Sequence, residues 1–232
     1  MSSRRRLLLL VAPAALFLAA CGGGAAQPTS ARGWLRQAAK ATAAARSVRL
    51  SGYVAANGNR LDFDVVSFSS GALDGTVAVG PATSHVVELR DGAAYVKASS
   101  GFWHDVGSGL HLPPKATSVL AGRWVTFPAV FANQLTSGLT LKSFSAALKS
   151  DVKAKVVGHR QVGGRKTVAV EGPRQLVVYI ATAAPHYPLL AAPRPGGRTT
   201  GRIRLSGFGA GSQPRAPKGA LSLRQLLSGA GL

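Results

Sequence analysis

Alternation of apolar and polar residues is the feature that most limits the folds open to this 232-residue chain. In the stretch RLDFDVVSF, Leu61, Phe63 and Val65 alternate with aspartates. Successive side chains of a β-strand point to opposite faces, so the pattern predicts a strand with one apolar and one polar face. About nine such stretches occur in two blocks, residues 47–99 and 151–209, and turn residues such as NGN and RDG separate several of them. The sequence therefore predicts antiparallel meanders.

Helical spacing appears before, between and after the two blocks. Residues 33–45 are rich in alanine and have apolar residues at i, i+3 and i+4, which predicts an amphipathic helix. Residues 128–138 and 141–150 predict two more helices between the blocks, and residues 220–232 predict a short one at the end. No stretch has the strand–helix–strand order of a parallel unit, so we expect an α+β fold with an antiparallel sheet, in one domain over residues 31–232.

The first twenty residues have the pattern of a secretory signal peptide. Three arginines, Arg4 to Arg6, precede an apolar run of twelve residues from Leu7 to Leu18, and small residues follow. A transmembrane helix needs about 20 apolar residues, so this run is too short to be one. We therefore expect export, by either the general secretory or the twin-arginine route, and a mature chain outside the cytoplasm.

Cys21, the only cysteine, follows the signal directly. The stretch LAAC, Leu18 to Cys21, resembles the bacterial lipobox. That resemblance implies that the Cys21 thiol receives a diacylglycerol and that the signal is cut before it. One acyl chain anchors a protein only marginally, whereas two or more hold it firmly on a membrane. We therefore expect a lipoprotein that is covalently acylated, for example with palmitate, on the outer face of the cell membrane. Residues 21–30, rich in glycine and proline, then form a flexible tether.

The net charge of the chain and the catalytic and metal-binding motifs that its sequence lacks limit the classes of function that we expect. The chain carries 28 Lys and Arg against 8 Asp and Glu, a formal charge of +20, which favours anionic partners such as lipid headgroups or envelope polymers. An exported protein does not meet the nucleoid, so we expect no nucleic acid partner. No nucleophile elbow, metal-binding histidine spacing or phosphate loop occurs, and Asp62 and Asp64 fit a solvated strand face better than an acid–base pair. We expect no enzyme activity, metal or cofactor.

Several stretches of the mature chain resemble the actinobacterial LppX/LprG-type lipoproteins. SVRLSGYV at residues 47–54 is similar to the first strand of that family, AAYVK at 93–97 followed by GFW resembles its YVK…W segment, and AGRWVTFP at 121–128 resembles its GKWV segment. The resemblance implies a curved antiparallel half-barrel with helices on its concave side, similar to LolA and LolB. It also implies that acyl chains of a lipid or lipoglycan bind between sheet and helices and are carried within the cell envelope.

We therefore predict a lipid-binding site on the concave face, formed by apolar residues of both blocks and by a helical lid. The predicted lining residues are Leu50, Leu61, Phe63, Val65, Val77, Val79, Val87, Leu89, Leu176, Val178 and Ile180, with Phe131 and Leu135 as the lid. A shift of one residue in a strand would exchange inward and outward side chains. The alternative hypothesis is a structural or adhesive envelope lipoprotein with a closed core, whose basic surface binds anionic polymers.

Overall fold

The computed structural model describes residues 27–56, 58–89, 91–107, 115–127, 136–149, 153–172, 176–194 and 199–229. Its helices are α1 (Ala31–Ala44), α2 (Ser100–Gly107), α3 (Ala116–Leu120), α4 (Leu141–Lys149) and α5 (Leu223–Gly229), with a 3₁₀ turn at Ser137–Leu139. Its strands are β1 (Ser47–Ala56), β2 (Asn59–Phe68), β3 (Leu73–Val79), β4 (Ala82–Glu88), β5 (Ala94–Ala98), β6 (Trp124–Phe127), β7 (Lys155–Val162), β8 (Arg165–Glu171), β9 (Leu176–Ala181), β10 (Pro188–Pro193), β11 (Thr199–Ser206) and β12 (Leu221–Ser222).

All twelve described strands form one open sheet in the order β12-β6-β5-β4-β3-β2-β1-β11-β10-β9-β8-β7. Each predicted block is a meander, and the antiparallel pairing of β1 with β11 joins the two. The sheet is mostly antiparallel, since in the described part only β12 runs parallel to its neighbour β6. The predicted α+β fold with an open half-barrel sheet is confirmed.

One central strand, β10, was not predicted from the sequence. It lies between β9 and β11 and begins and ends with prolines, Pro188 and Pro193. Its apolar run has no alternation, because Leu189, Leu190 and Ala191 are all buried and the pairing with β9 is irregular between Pro188 and Leu190. Proline is tolerated at the first residue of a strand or beside a bulge, which explains how the segment enters the sheet without the usual pattern.

Three glycines allow neighbouring strands to approach closely. Gly52 in β1, Gly75 in β3 and Gly201 in β11 have φ of +143°, +157° and +141°. A Cβ atom on Gly75 would lie 2.3 Å from the carbonyl oxygen of Asp64 on β2, and the other two glycines meet neighbouring backbone as closely. No other residue fits there, and glycine kinks are a device by which sheets acquire curvature.

The helices cover one side of the sheet, which we call the inner face, and the opposite side is the outer face. α1 begins after Ser30, whose Oγ accepts a hydrogen bond from the Gly33 amide at 3.1 Å. Its buried side, including Trp34, Leu35 and Ala38, joins the same core cluster as the inner face of the sheet. α2 was not predicted, and its Phe102 and Trp103 are among the most buried side chains of the cluster.

Parts of the prediction fall outside the described residues. These are the signal peptide with Cys21, most of the tether, and residues 128–135 of the helix predicted over 128–138, which include its lid residues Phe131 and Leu135. In the described part of the chain, none of the helices combines the length and the apolar character that crossing a membrane would require.

Candidate functional site

The inner face of the sheet is a continuous apolar surface. In one row, Leu205, Leu50 and Val65 lie directly opposite one another on β11, β1 and β2. Further along the sheet, the valines at 86, 96 and 125 continue the row on β4, β5 and β6. All of these side chains are buried. The strand register therefore brings residues that are distant in sequence into one apolar surface that spans both blocks.

Most of the predicted lining residues lie on this surface. Six of them are buried in the single core cluster that the sheet shares with the helices: Leu50, Phe63, Val65, Val77, Val178 and Ile180. Leu61 and Leu176 are partly buried and pack against that cluster. Val79 belongs to the same side but is 38% exposed at the end of β3. The sequence pattern thus identified the apolar face, and the structure shows its residues packed against helices.

Two predicted lining residues are misplaced, because the alternation in β4 was assigned one residue out of phase. Val86, directly opposite Val96, faces the core, whereas Val87 is directly opposite Asp74 and Tyr95 on the outer face. Leu89 lies in the turn after β4, where its amide donates to the Ala93 carbonyl oxygen, and it does not belong to the cluster. The two adjacent valines of SHVVELR fit either phase, so sequence alone could not separate them.

The helical side of the surface was predicted in part, because the sequence predicts helices over residues 33–45 and 141–150 but not α2. It consists of buried side chains from all five described helices, namely Trp34 and Leu35 of α1, Phe102 and Trp103 of α2, Leu120 of α3, Leu141, Phe144 and Leu148 of α4, and Leu226 of α5. Helical spacing at residues 144 and 148 was the available signal. The short GFW stretch that begins α2 has no such periodicity, so its two aromatic side chains gave no indication of their position.

A carboxylic acid, Glu88, lies on the inner face although its surroundings are apolar. It is directly opposite Leu73 on β3 and Ala94 on β5, both of which are buried, and only 8% of Glu88 is exposed. The Thr136 hydroxyl donates a hydrogen bond to the Glu88 carboxylate at 3.1 Å. Burial disfavours the charged form and raises the pKa of Glu88, while the bond from Thr136 opposes that shift. The Glu88 carboxyl is therefore a buried polar group within an otherwise apolar surface.

Trp103 supplies a second buried polar group. Its ring stacks on Phe127 with centroids 5.5 Å apart, and Phe127 lies in the same row as Ala94 and Glu88. The indole Nε1–H is buried and finds no hydrogen-bond acceptor among the described residues. Buried donors are nearly always paired in folded proteins, so an unpaired one marks a place where a ligand or water oxygen would gain a hydrogen bond.

The outer face is polar and its acidic residues form ion pairs. Arg49 Nε donates to the Asp64 carboxylate at 2.7 Å, and Arg60 Nε donates to Asp62 at the same distance. These hydrogen bonds hold the pKa of both aspartates below the usual range. Both pairs are exposed and add little to stability. Asp62 and Asp64 therefore lie on a solvated face, as the alternation predicted.

Two histidines of the described residues lie in local contacts. No cluster of three or more histidine, cysteine, aspartate or glutamate side chains able to hold a metal ion occurs within the described ranges. His85 pairs with Asp74 at 2.7 Å, and the ring of buried His186 lies edge-on to Trp34 with its Nδ1 3.1 Å from the Ala181 carbonyl oxygen. The first contact joins β4 to β3, and the second places the loop that contains His186 against α1 and the end of β9.

Comparison with known proteins identifies the fold through solved structures. No protein-family model matches the chain, and no curated protein matches it. The crystal structure of LprF from Mycobacterium bovis is similar over 82% of this chain and 97% of LprF, with 17% identity and a TM-score of 0.54. The lipoprotein LppX from Mycobacterium tuberculosis matches over 79% of this chain and 97% of its own, with 14% identity and a TM-score of 0.49. The likeness to LprF shows that the chain has the fold which its resemblance to LppX/LprG-type lipoproteins predicted.

Proposed function

We propose that this chain is an extracytoplasmic lipoprotein that binds acyl chains of a lipid or lipoglycan between the inner face of its sheet and its helices, and carries them within the cell envelope. Residues 1–20 are the signal peptide, Cys21 is the acylated anchor, residues 22–30 complete the tether, and residues 31–232 are the binding domain. The observation that supports this function is the apolar inner face, which spans both blocks of strands and is covered by separate helices.

Acyl chains match the chemistry of this surface. Burial of one CH₂ group stabilises by about 0.8 kcal/mol, so a chain of sixteen carbons supplies on the order of 10 kcal/mol before the entropic cost of binding. The surface is made of aliphatic and aromatic side chains, and Glu88 with Thr136 and the Trp103 indole provides hydrogen-bonding groups suited to the polar end of a lipid. Binding of this kind needs no covalent step.

The packing of the described residues sets a condition on binding. Phe63 and Val77 are buried, so acyl chains reach them only if the helices separate from the sheet. The helical contacts with the sheet are mainly apolar, and acyl chains can replace such contacts without leaving many polar groups unpaired. One hydrogen bond that would have to break is that from the Leu141 amide of α4 to Ser67 Oγ on β2, at 2.7 Å.

Photo-crosslinking with an acyl probe tests the proposal. A fatty acid with a diazirine near its methyl end is incubated with the Cys21→Ala variant, which lacks its own acyl groups, and labelled peptides are mapped by mass spectrometry. We expect the label on inner-face strands, in peptides containing Phe63 or Ile180. A label confined to outer-face residues such as Thr76 would contradict the proposed binding surface, as would no labelling above the background of a non-binding control protein.

The close packing favours a second candidate, a structural or adhesive lipoprotein with a closed core. Six predicted lining residues are buried by packing within the core cluster, and the charge of +20 suits anionic envelope polymers. Native mass spectrometry of the protein purified from envelope membranes separates the two. Copurified lipid of defined mass supports the carrier, whereas a protein that carries no lipid and still binds anionic polymer supports the structural role.

A further inference from the structure

A pocket of about 410 Å³ lies beside the second block of strands. It is formed by the turn between β7 and β8, the start of β10 and the end of β11, and its size is within the range of small-molecule sites. The strand register forms one row across the sheet, made of Arg204 on β11, Leu190 on β10, Tyr179 on β9 and Ala169 on β8. Arg165 lies on the same face of β8 as Ala169, so both arginines project from the outer face, away from the proposed acyl site.

One wall of this outer pocket is aromatic and aliphatic. The rings of Tyr187 and Phe208 stack with centroids 3.9 Å apart and planes 9° apart. The buried Leu189 and Leu205 and the partly buried Val162 line the pocket beside them. Leu205 belongs to the core cluster, and Tyr187 and Phe208 pack against that cluster. This wall presents apolar surface to a ligand in the pocket. A purely ionic ligand would gain nothing from that surface, whereas an amphiphile would.

The two arginines give the pocket a net positive charge. Elsewhere on the outer face, carboxylates neutralise several cations, as Asp64 does for Arg49 and Glu171 does for Arg194. Within the described ranges, no carboxylate forms an ion pair with Arg165 or Arg204, although both side chains are exposed. Two guanidinium groups without a described counter-ion therefore line one pocket.

We propose that the outer pocket binds the phosphate group of an amphiphile, with Arg165 and Arg204 on the phosphate and the Tyr187–Phe208 wall against the apolar part. A planar guanidinium donates two parallel hydrogen bonds to phosphate oxygens, and two of them match the several oxygens of one phosphate group. The same chemistry is found in a phospholipid headgroup and in free phosphate, and the apolar wall favours the phospholipid. The two arginines project from the outer face, whereas the apolar wall of the pocket reaches the core cluster through Leu205, Tyr187 and Phe208. Phosphate binding by the arginines does not require acyl chains on the inner face.

Calorimetric titration of the full chain, in an uncharged detergent, tests the site. The probes are inorganic phosphate and dihexanoylphosphatidylglycerol, the latter below its micelle-forming concentration. We expect the phospholipid to bind at least about tenfold more tightly than inorganic phosphate. Arg165→Gln and Arg204→Gln should each weaken both probes by about tenfold or more, the range for loss of a charged hydrogen-bonding partner.

Arg202→Gln is the matched control, because Arg202 lies two residues from Arg204 on the same face of β11 and does not line the pocket. Its affinity for either probe should change less than threefold, and all three variants should melt like the wild type. Equal weakening by Arg202→Gln would overturn the site in favour of general surface charge. Absence of binding to both probes would also overturn it, and equal affinity for the two would overturn the role assigned to the apolar wall.

Discussion

A glutamate placed on either side of β3 tests how tightly the inner face is packed. Val77 and Thr76 are neighbours in sequence, but Val77 is fully buried in the core cluster and Thr76 is exposed on the outer face. The variants Val77→Glu and Thr76→Glu therefore introduce the same side chain into the same strand, 3.2–3.4 Å apart along it, in two opposite environments.

The expected cost of Val77→Glu follows from its burial. Loss of a buried valine side chain removes about 1.5–3 kcal/mol, and an unpaired buried carboxylate adds several kcal/mol more. The sum is comparable with the whole free energy of unfolding of a typical domain, about 5–15 kcal/mol. Thr76→Glu replaces one exposed polar side chain by another opposite Asp64 and should change stability by less than about 1 kcal/mol.

Thermal and urea unfolding, followed by circular dichroism at pH 7, provide the assay. We expect no cooperative transition for Val77→Glu and a near-native one for Thr76→Glu. Lower pH should partly restore Val77→Glu, because protonation removes the buried charge. If Val77→Glu melts within a few degrees of Thr76→Glu at pH 7, Val77 borders a space that water enters, and the closed packing described above is wrong.

Three further predictions concern the anchor, the buried acid and the bends of the sheet. Cys21→Ala should move the protein from the detergent phase to the aqueous phase in a partitioning assay, and unchanged partitioning would contradict the lipoprotein assignment. Since the folded state raises the pKa of Glu88, the contribution of this group to stability is greatest at low pH and declines as pH rises through the folded value. Glu88→Gln should therefore unfold at higher urea concentration than the wild type at pH 7, with the difference shrinking near pH 4. Gly80→Ala should cost about 1–2 kcal/mol, because Gly80 has a positive φ but a Cβ there would meet nothing within 4 Å. Gly75→Ala should cost more, because its Cβ would meet the backbone of the neighbouring strand. Equal losses of stability in urea titrations would show that the close approach at Gly75 relaxes freely.

Sequence reasoning succeeded where one face of a strand is buried and the other is solvated. In β2, Phe63 and Val65 alternate with Asp62 and Asp64, so the burial of one face and the solvation of the other both follow from the pattern. The pairing of β1 with β2 follows from the turn signal between them. Each of these conclusions depends on local sequence, which is what periodicity reports.

The missed features depend on contacts between distant segments. In β10 the successive residues Leu189, Leu190 and Ala191 are all buried, so its sequence does not alternate, and its prolines conceal it. Glu88 is buried because Leu73 and Ala94 are placed beside it by two separate hairpins. The outer pocket joins Arg165 to Arg204 across four strands, and no spacing in the sequence indicates that proximity.

An open sheet has two edge strands, and here the two edges differ in how readily they could pair with a strand of another chain. One end is β12, only two residues long, which offers few free backbone groups. The other is β7, eight residues long, where Val156 and Val157 are 43% and 45% exposed. Long apolar edge strands invite unwanted pairing between copies, and β7 counters this with an irregular register between Val156 and Gly158 and with a lysine at its start. We therefore expect β7 to influence how readily copies of this chain associate, and a variant that straightens the irregularity should aggregate at a lower protein concentration than the wild type.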